Sequence, residues 1–163
     1  MLSAGHLAIL AHLSMSESRF AIRRIVVGLD GSGAAEAASV AAIAIALQFD
    51  AEIVGVHATG LLDVWEAASS DASTDAHEGV IQHLRGPWSA TLRDSGVRMR
   101  LEQRDGPPAD TMLAIAEAVE ADLIVVGSRG VGDTPLGELG STSGKIVRRS
   151  NRPVLVVPED FPL

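Results

Sequence analysis

The chain has 163 residues, of which 21 are acidic and 13 basic, for a formal net charge of −8; that length suits one domain with a sizeable core and is short for two. Hydrophobic residues make up 47%, which excludes a chain too polar to fold, and the acidic balance with 3% aromatics lacks the basic, aromatic-studded face of a nucleic-acid binder, so no nucleic-acid partner is expected. Cysteine is absent, which excludes disulfides, thiol catalysis and Cys-based zinc sites and fits a reducing, cytoplasmic compartment, and no apolar run reaches the ~18–20 residues that span a bilayer, so no membrane partner is expected.

In chain order, residues 7–13 form a short apolar stretch, broken by His12 and without a basic leader; it does not fit a signal peptide. Residues 1–22 are expected to be a disordered tail, with Met15 an alternative start, ahead of one domain over residues 23–160. Residues 24–29, Arg-Ile-Val-Val-Gly-Leu, read as a strand buried on both faces. Asp30-Gly31-Ser32-Gly33 is a turn. The Ala-rich run 34–48 predicts a helix, and residues 52–58 a second strand.

Residues 59–78 read as a loop. A helix is expected over residues 76–95 from the spacing of Val80, Ile81, Leu84, Trp88 and Leu92, kinked or restarted at Pro87. Residues 97–103 alternate as a strand with one wetter face. After Gly106-Pro107-Pro108 an amphipathic helix covers residues 109–120, then a buried strand residues 122–126. A Gly-rich loop spans residues 127–140, a helix residues 141–150 and a last strand residues 153–157. Strands alternating with helices predict an α/β fold with a parallel sheet wrapped on both faces. Ligands of such sheets sit beyond the carboxyl ends of the strands, where the strand order reverses.

The loop after the fourth strand carries the chemistry. Residues 127–143 read GSRGVGDTPLGELGSTS: Gly127, two residues, Gly130, nine residues, then Gly140-Ser141. Glycines allow close backbone approach and positive φ. Ser141, Thr142 and Ser143 fall where a helix begins, and the free N–H groups and dipole there favour an anion such as a phosphate chain. The plainer role for the same residues is a connecting loop with a serine cap.

Gly-x2-Gly-x9-Gly-Ser resembles the ATP-binding signature of the universal stress protein family. RRIVVGLDGS resembles that family's first strand and turn, RDGPPADTMLAIAEAVEADLIVVGSRG its Gly-x-Pro turn, helix and fourth strand, and GSTSGKIVRRSNRPVLVVP its closing helix and strand. The resemblance covers residues 23–158. It implies an open five-stranded parallel sheet of order 3-2-1-4-5, Rossmann-like and of the adenine nucleotide alpha hydrolase type. It implies ATP, with Mg²⁺, as ligand, and a nucleotide-dependent regulator of the stress response. Asp30 is then the acidic residue that holds ribose or adenine; Gly28 and Leu29 line the site beside it. Ala58 lies against the adenine and Val126 closes the floor. Gly127, Gly130, Gly140, Ser141 and Thr142 take the phosphates, with Arg129 the loop's one cation. Asp133 and Glu138 are acidic in that loop, so either they face water or a metal intervenes.

The sequence leaves other readings open. An enzyme at the same loop, a slow ATPase or a phosphate-ester hydrolase, is the alternative function; no catalytic set is recognisable, and a nucleotide-free interaction module is a third reading. Gly31-Ser32-Gly33 is a near-miss to a dinucleotide fingerprint, and Gly140 to Ile146 a near-miss to a P-loop. Asp75, His77, Glu78 and His83 are metal-ligating types, better read as a solvated helix face. Lys145, Arg148, Arg149 and Arg152 complement the end of the last helix. His57 ends a strand and is read either as approaching the nucleotide or, equally, as a satisfied histidine at the pocket edge. The last strand, Pro153-Val154-Leu155-Val156-Val157, is an apolar edge without charge, and a homodimer through it is expected.

Overall fold

A computed structural model describes residues 21–59, 79, 82–130 and 138–162. The apolar β-branched runs form five parallel strands: β1 (Arg24–Gly28), β2 (Glu52–Thr59), β3 (Met99–Asp105), β4 (Leu123–Gly127) and β5 (Val154–Val157). Among the described residues the connections include the helices α1 (Gly33–Phe49), α2 (Ala90–Asp94), α3 (Pro108–Ala118) and α4 (Ser141–Arg149). The strand order is β3-β2-β1-β4-β5, the expected Rossmann-like arrangement, so the order reverses between β1 and β4. Two loops therefore meet there, the one after β1 and the one after β4.

Helices cover both faces, and each face has its own core. On one side Ile25, Val27, Ile53 and Val125 pack under the alanines of α1, with Leu84 and Leu92. On the other, Val26, Val54, Ile124 and Val126 pack against Met112 and Ile115 of α3 and Ile146 of α4. Strand side chains alternate between faces, so both parities of β1 and β4 are apolar because both are buried. The inner face of α1 is almost wholly alanine. Small side chains let the helix lie close to the sheet, which fixes the shape of the loop beside it.

Element ends follow local chemistry. Ser32 caps α1 by accepting a hydrogen bond from Ala35 N. Asp50 closes α1 in the left-handed region, φ 52°. The helix expected over residues 76–95 is divided: residues 82–85 are helical, Gly86 breaks the run, and Pro87 opens a 3₁₀ turn (Pro87–Ser89) leading into α2. β3 begins two residues later than its alternation predicts. Ser95 Oγ takes the Val97 N–H and Gly96 sits at φ +75°, so the preceding turn uses those residues before Met99 pairs with Ile53. α3 stops short of its expected end because Glu120 adopts φ 51° and its N–H turns back to Glu117 O.

The two sheet edges differ. β3 carries Arg100 and Glu102, which pair with each other, and Arg100 also pairs with Glu52. β5 has no charge; Leu155 is 36% exposed, and Val154 and Val156 are half-buried.

Candidate functional site

Asp30 stands where β1 ends. Its Oδ1 accepts hydrogen bonds from Ser32 N (3.0 Å) and Ser32 Oγ (2.6 Å), so one oxygen builds the turn into α1. The other, Oδ2, points at the second loop: a Cβ on Gly130 would lie 2.5 Å from it. One oxygen of the carboxylate thus serves the turn and the other faces the second loop.

The loop after β4 is tied into a ring with the start of α4. Ser128 N donates to Val157 O (2.7 Å) and Gly140 N to Ser128 O (2.8 Å). Ser143 Oγ donates to Ser128 O at 2.9 Å, with Gly140 O at 3.0 Å. The ring brings Gly127, Arg129 and Gly130 up to Gly140, Ser141 and Thr142. Gly144 N bonds Gly140 O (2.9 Å) and is the first amide of α4 with a partner one turn back. The N–H groups of Ser141, Thr142 and Ser143 have none within the helix, and Gly140 offers no side-chain cap. Ser141 is exposed and Thr142 half-buried, so donors and helix dipole face an open site suited to an anion.

The individual glycines have reasons that the sequence conceals. Only Gly31, Gly96 and Gly106 have positive φ among the described glycines, so Gly130 and Gly140 are not needed for a left-handed backbone. Gly130 leaves room for the Asp30 carboxylate. A Cβ on Gly140 would lie 3.2 Å from Arg129 Cα, so Gly140 lets the two ends of the loop close. Gly127 serves packing: its Cβ would fall 2.7 Å from the carbonyl carbon of Ala34 in α1.

On the α3 face, Gly28 and Val126 come together beneath Met112. A Cβ on Gly28 would meet Met112 Sδ at 3.0 Å and Val126 Cγ1 at 3.7 Å. Ala58, two residues beyond Val56 in β2, shares that face by strand alternation and is half-buried. Leu29 is buried in the α1-side core, so only its backbone borders the site. Met112 belongs to this region and was not singled out from the sequence; Ser143 was named there only with Ser141 and Thr142 at the helix start. Met112 reads as one more apolar residue of an amphipathic helix, and Ser143 as a third hydroxyl beside two others. Only the closed ring shows that the Ser143 hydroxyl is already engaged.

The near-miss dinucleotide motif has another partner. A Cβ on Gly33 would lie 2.5 Å from Glu159 Oε1; that carboxylate stands at the start of α1, where a diphosphate would have to bind. Arg149 pairs with Asp110 (2.5 Å), and Arg152 reaches Glu117 (3.4 Å) and Ala121 O (3.0 Å), so these two cations tie α4 and the following turn to α3. Asp133 and the other residues of the loop middle, 131–137, lie outside the described residues, as do Asp75, His77 and Glu78. Among the described residues no group of three His, Asp or Glu is placed to hold a metal.

A parallel sheet with a switch point between β1 and β4, and a Gly-rich ring with open helix amides beside it, define an α/β protein of the doubly wound type. The sequence profile described as the universal stress protein family matches residues 21–158, and the chain belongs to that family. It is 29% identical over 145 residues to universal stress protein MJ0531 of Methanocaldococcus jannaschii, covering 83% of this chain and 81% of the other. It is 33% identical over 120 residues to universal stress protein Sll1654 of Synechocystis sp., covering 69% and 76%. Among solved structures, a universal stress protein in complex with cAMP aligns with TM-score 0.66 and 26% identity, over 86% of this chain and 99% of the other. UspA of Lactobacillus plantarum aligns with TM-score 0.68 and 25% identity, over 86% and 99%.

Proposed function

We propose that this universal stress protein binds ATP, with Mg²⁺, in the cleft between the β1 and β4 loops, and acts in the cytoplasm as a nucleotide-dependent regulator of the stress response. The observation that carries the reading is the approach of Asp30 Oδ2 to Gly130, beside the open amides of α4. A carboxylate oxygen accepts hydrogen bonds from ribose hydroxyls, and helix-terminal amides donate to phosphate oxygens. The two ends of a nucleotide thus have chemically matched partners on the two loops. Ser141 and Thr142 add hydroxyl donors, Arg129 a cation, and Gly28, Ala58 and Val126 a small-residue floor for the base. The relative solved with cAMP supports an adenine nucleotide as the ligand class. Mg²⁺ bound to the phosphates would offset the charge of nearby carboxylates.

Titration calorimetry with ATP, with and without Mg²⁺, tests the reading; saturable one-to-one binding is expected. Absence of binding to ATP, ADP or AMP removes it. A turnover assay on the same samples separates a regulator, with hydrolysis slow or absent, from the alternative of a nucleotide-using enzyme.

A further inference from the structure

The turn that presents Asp30 is held from outside the two loops. In β2, Val56 O accepts the Leu29 N–H (2.8 Å). The next residue, His57, places Nδ1 2.6 Å from Leu29 O. A carbonyl oxygen only accepts, so Nδ1 carries the proton of this bond. Both peptide groups of Leu29 are therefore gripped by β2, one residue beyond the last β1–β2 pair, Gly28 with Val56. Leu29 immediately precedes Asp30. The His57 ring in turn packs on Trp88, with centroids 4.9 Å apart and planes at 49°. The Trp88 indole also lies against Gly31, where any Cβ would overlap it and where φ is +80°. Asp30 is thus bracketed by a residue held by His57 and a residue held by Trp88.

We propose that His57 is a positioning residue of the nucleotide site. Its Nδ1–H holds the Leu29 carbonyl, which fixes where the Asp30 carboxylate stands against Gly130; Trp88 keeps the imidazole in the orientation that makes this bond. The proposal rests on the nucleotide reading given above. It concerns the nucleoside half of the ligand: the α4 amides belong to the other loop and do not depend on this bond. A histidine that only filled space between Trp88 and Leu29 would be replaceable by any side chain of similar bulk. A hydrogen-bonding histidine is replaceable only by one that puts a donor where Nδ1 is. Asparagine does so with its amide nitrogen, whereas glutamine carries its nitrogen out to the position of Nε2.

The experiment compares the unmutated chain with His57→Asn, His57→Gln and His57→Leu. Calorimetric affinities are measured for ATP and for inorganic tripolyphosphate, together with hydrogen exchange of the amides around Asp30. His57→Gln and His57→Leu are expected to bind ATP roughly tenfold more weakly, the scale of one lost hydrogen bond. His57→Asn stays within about threefold because the donor is restored. Tripolyphosphate affinity is unchanged throughout, and the turn amides exchange faster in the Gln and Leu variants only. Should His57→Leu not fold, the Asn and Gln variants carry the comparison. Equal ATP affinities for Asn and Gln, or a parallel loss for ATP and tripolyphosphate, overturn the proposal. An unmutated protein that binds no nucleotide overturns the nucleotide reading instead, and the exchange pattern then still decides whether His57 holds the turn.

Discussion

A Cβ on Gly127 would lie 2.7 Å from a backbone carbon of α1, whereas one on Gly130 would lie 2.5 Å from a carboxylate oxygen. The neighbours differ in what they can do: backbone in a packed helix cannot yield, but the end of a side chain can. Gly127→Ala is therefore expected to cost about 1–3 kcal/mol of stability by overpacking, read as a lower melting temperature. Gly130→Val is expected to leave melting close to that of the unmutated protein while ATP binding is lost, because Asp30 is pushed from its place; unchanged calorimetric affinity in that variant would contradict the site. Asp30→Ala should weaken ATP binding about tenfold, the scale of hydrogen bonds to a charged acceptor, and tripolyphosphate binding less. Equal losses for both ligands would place Asp30 elsewhere than at the sugar or base. The sequence marked the two glycines as one motif, but their separate reasons come from neighbours far along the chain.

At the scale of elements, the starts of β1 and β2 were legible, whereas the start of β3 and the end of α3 were not. Ser32 before an alanine run is readable as a cap, and Ser32→Ala should lower stability by about 1 kcal/mol in a denaturant titration. β3 began at Met99 rather than at Val97 because Ser95 Oγ takes the Val97 N–H after a left-handed Gly96, which alternation alone does not reveal. The end of α3 is tied to the turn before β5. Hydrogen bonds from Asn151 and Arg152, with the Arg152 charge, hold the Glu117 carboxyl below its ordinary pKa. A depressed carboxylate contributes stability above its unfolded-state pKa, and the contribution is lost as pH falls through the lower folded value. Glu117→Gln should thus lower the melting temperature slightly at neutral pH, with the difference vanishing in acid. A constant difference across that range would show that the pairs are not linked to folding. Glu117 is exposed, so the effect is small.

At the scale of the whole molecule, the two edges of the sheet set the expected assembly. β3 is protected by Arg100 and Glu102, while β5 presents Val154, Leu155 and Val156 without a charge. Unprotected edges pair, and a two-fold axis perpendicular to β5, pairing it antiparallel with its own copy, would satisfy its free backbone groups and cover Leu155. A homodimer is the expected state in light scattering, and Leu155→Lys should release monomers with the fold intact. Val156 is less suited to that test because it packs against the α3 and α4 core. An unmutated protein that is monomeric at tens of micromolar would rule the dimer out. The sequence by itself determined the class of fold, the strand order through its family signature, and the two loops that meet at the switch point. Those follow from short-range signals: apolar runs, turn residues, and glycines at fixed spacing. Only the tertiary structure decided which oxygen of Asp30 builds the turn and which faces Gly130, that the Ser143 hydroxyl is spent on closing a ring, that Glu159 fills the start of α1, and that His57 reaches Leu29. Each of these joins residues distant in sequence. A contact of that kind depends on how helices and strands pack, and no local pattern of residue types encodes it.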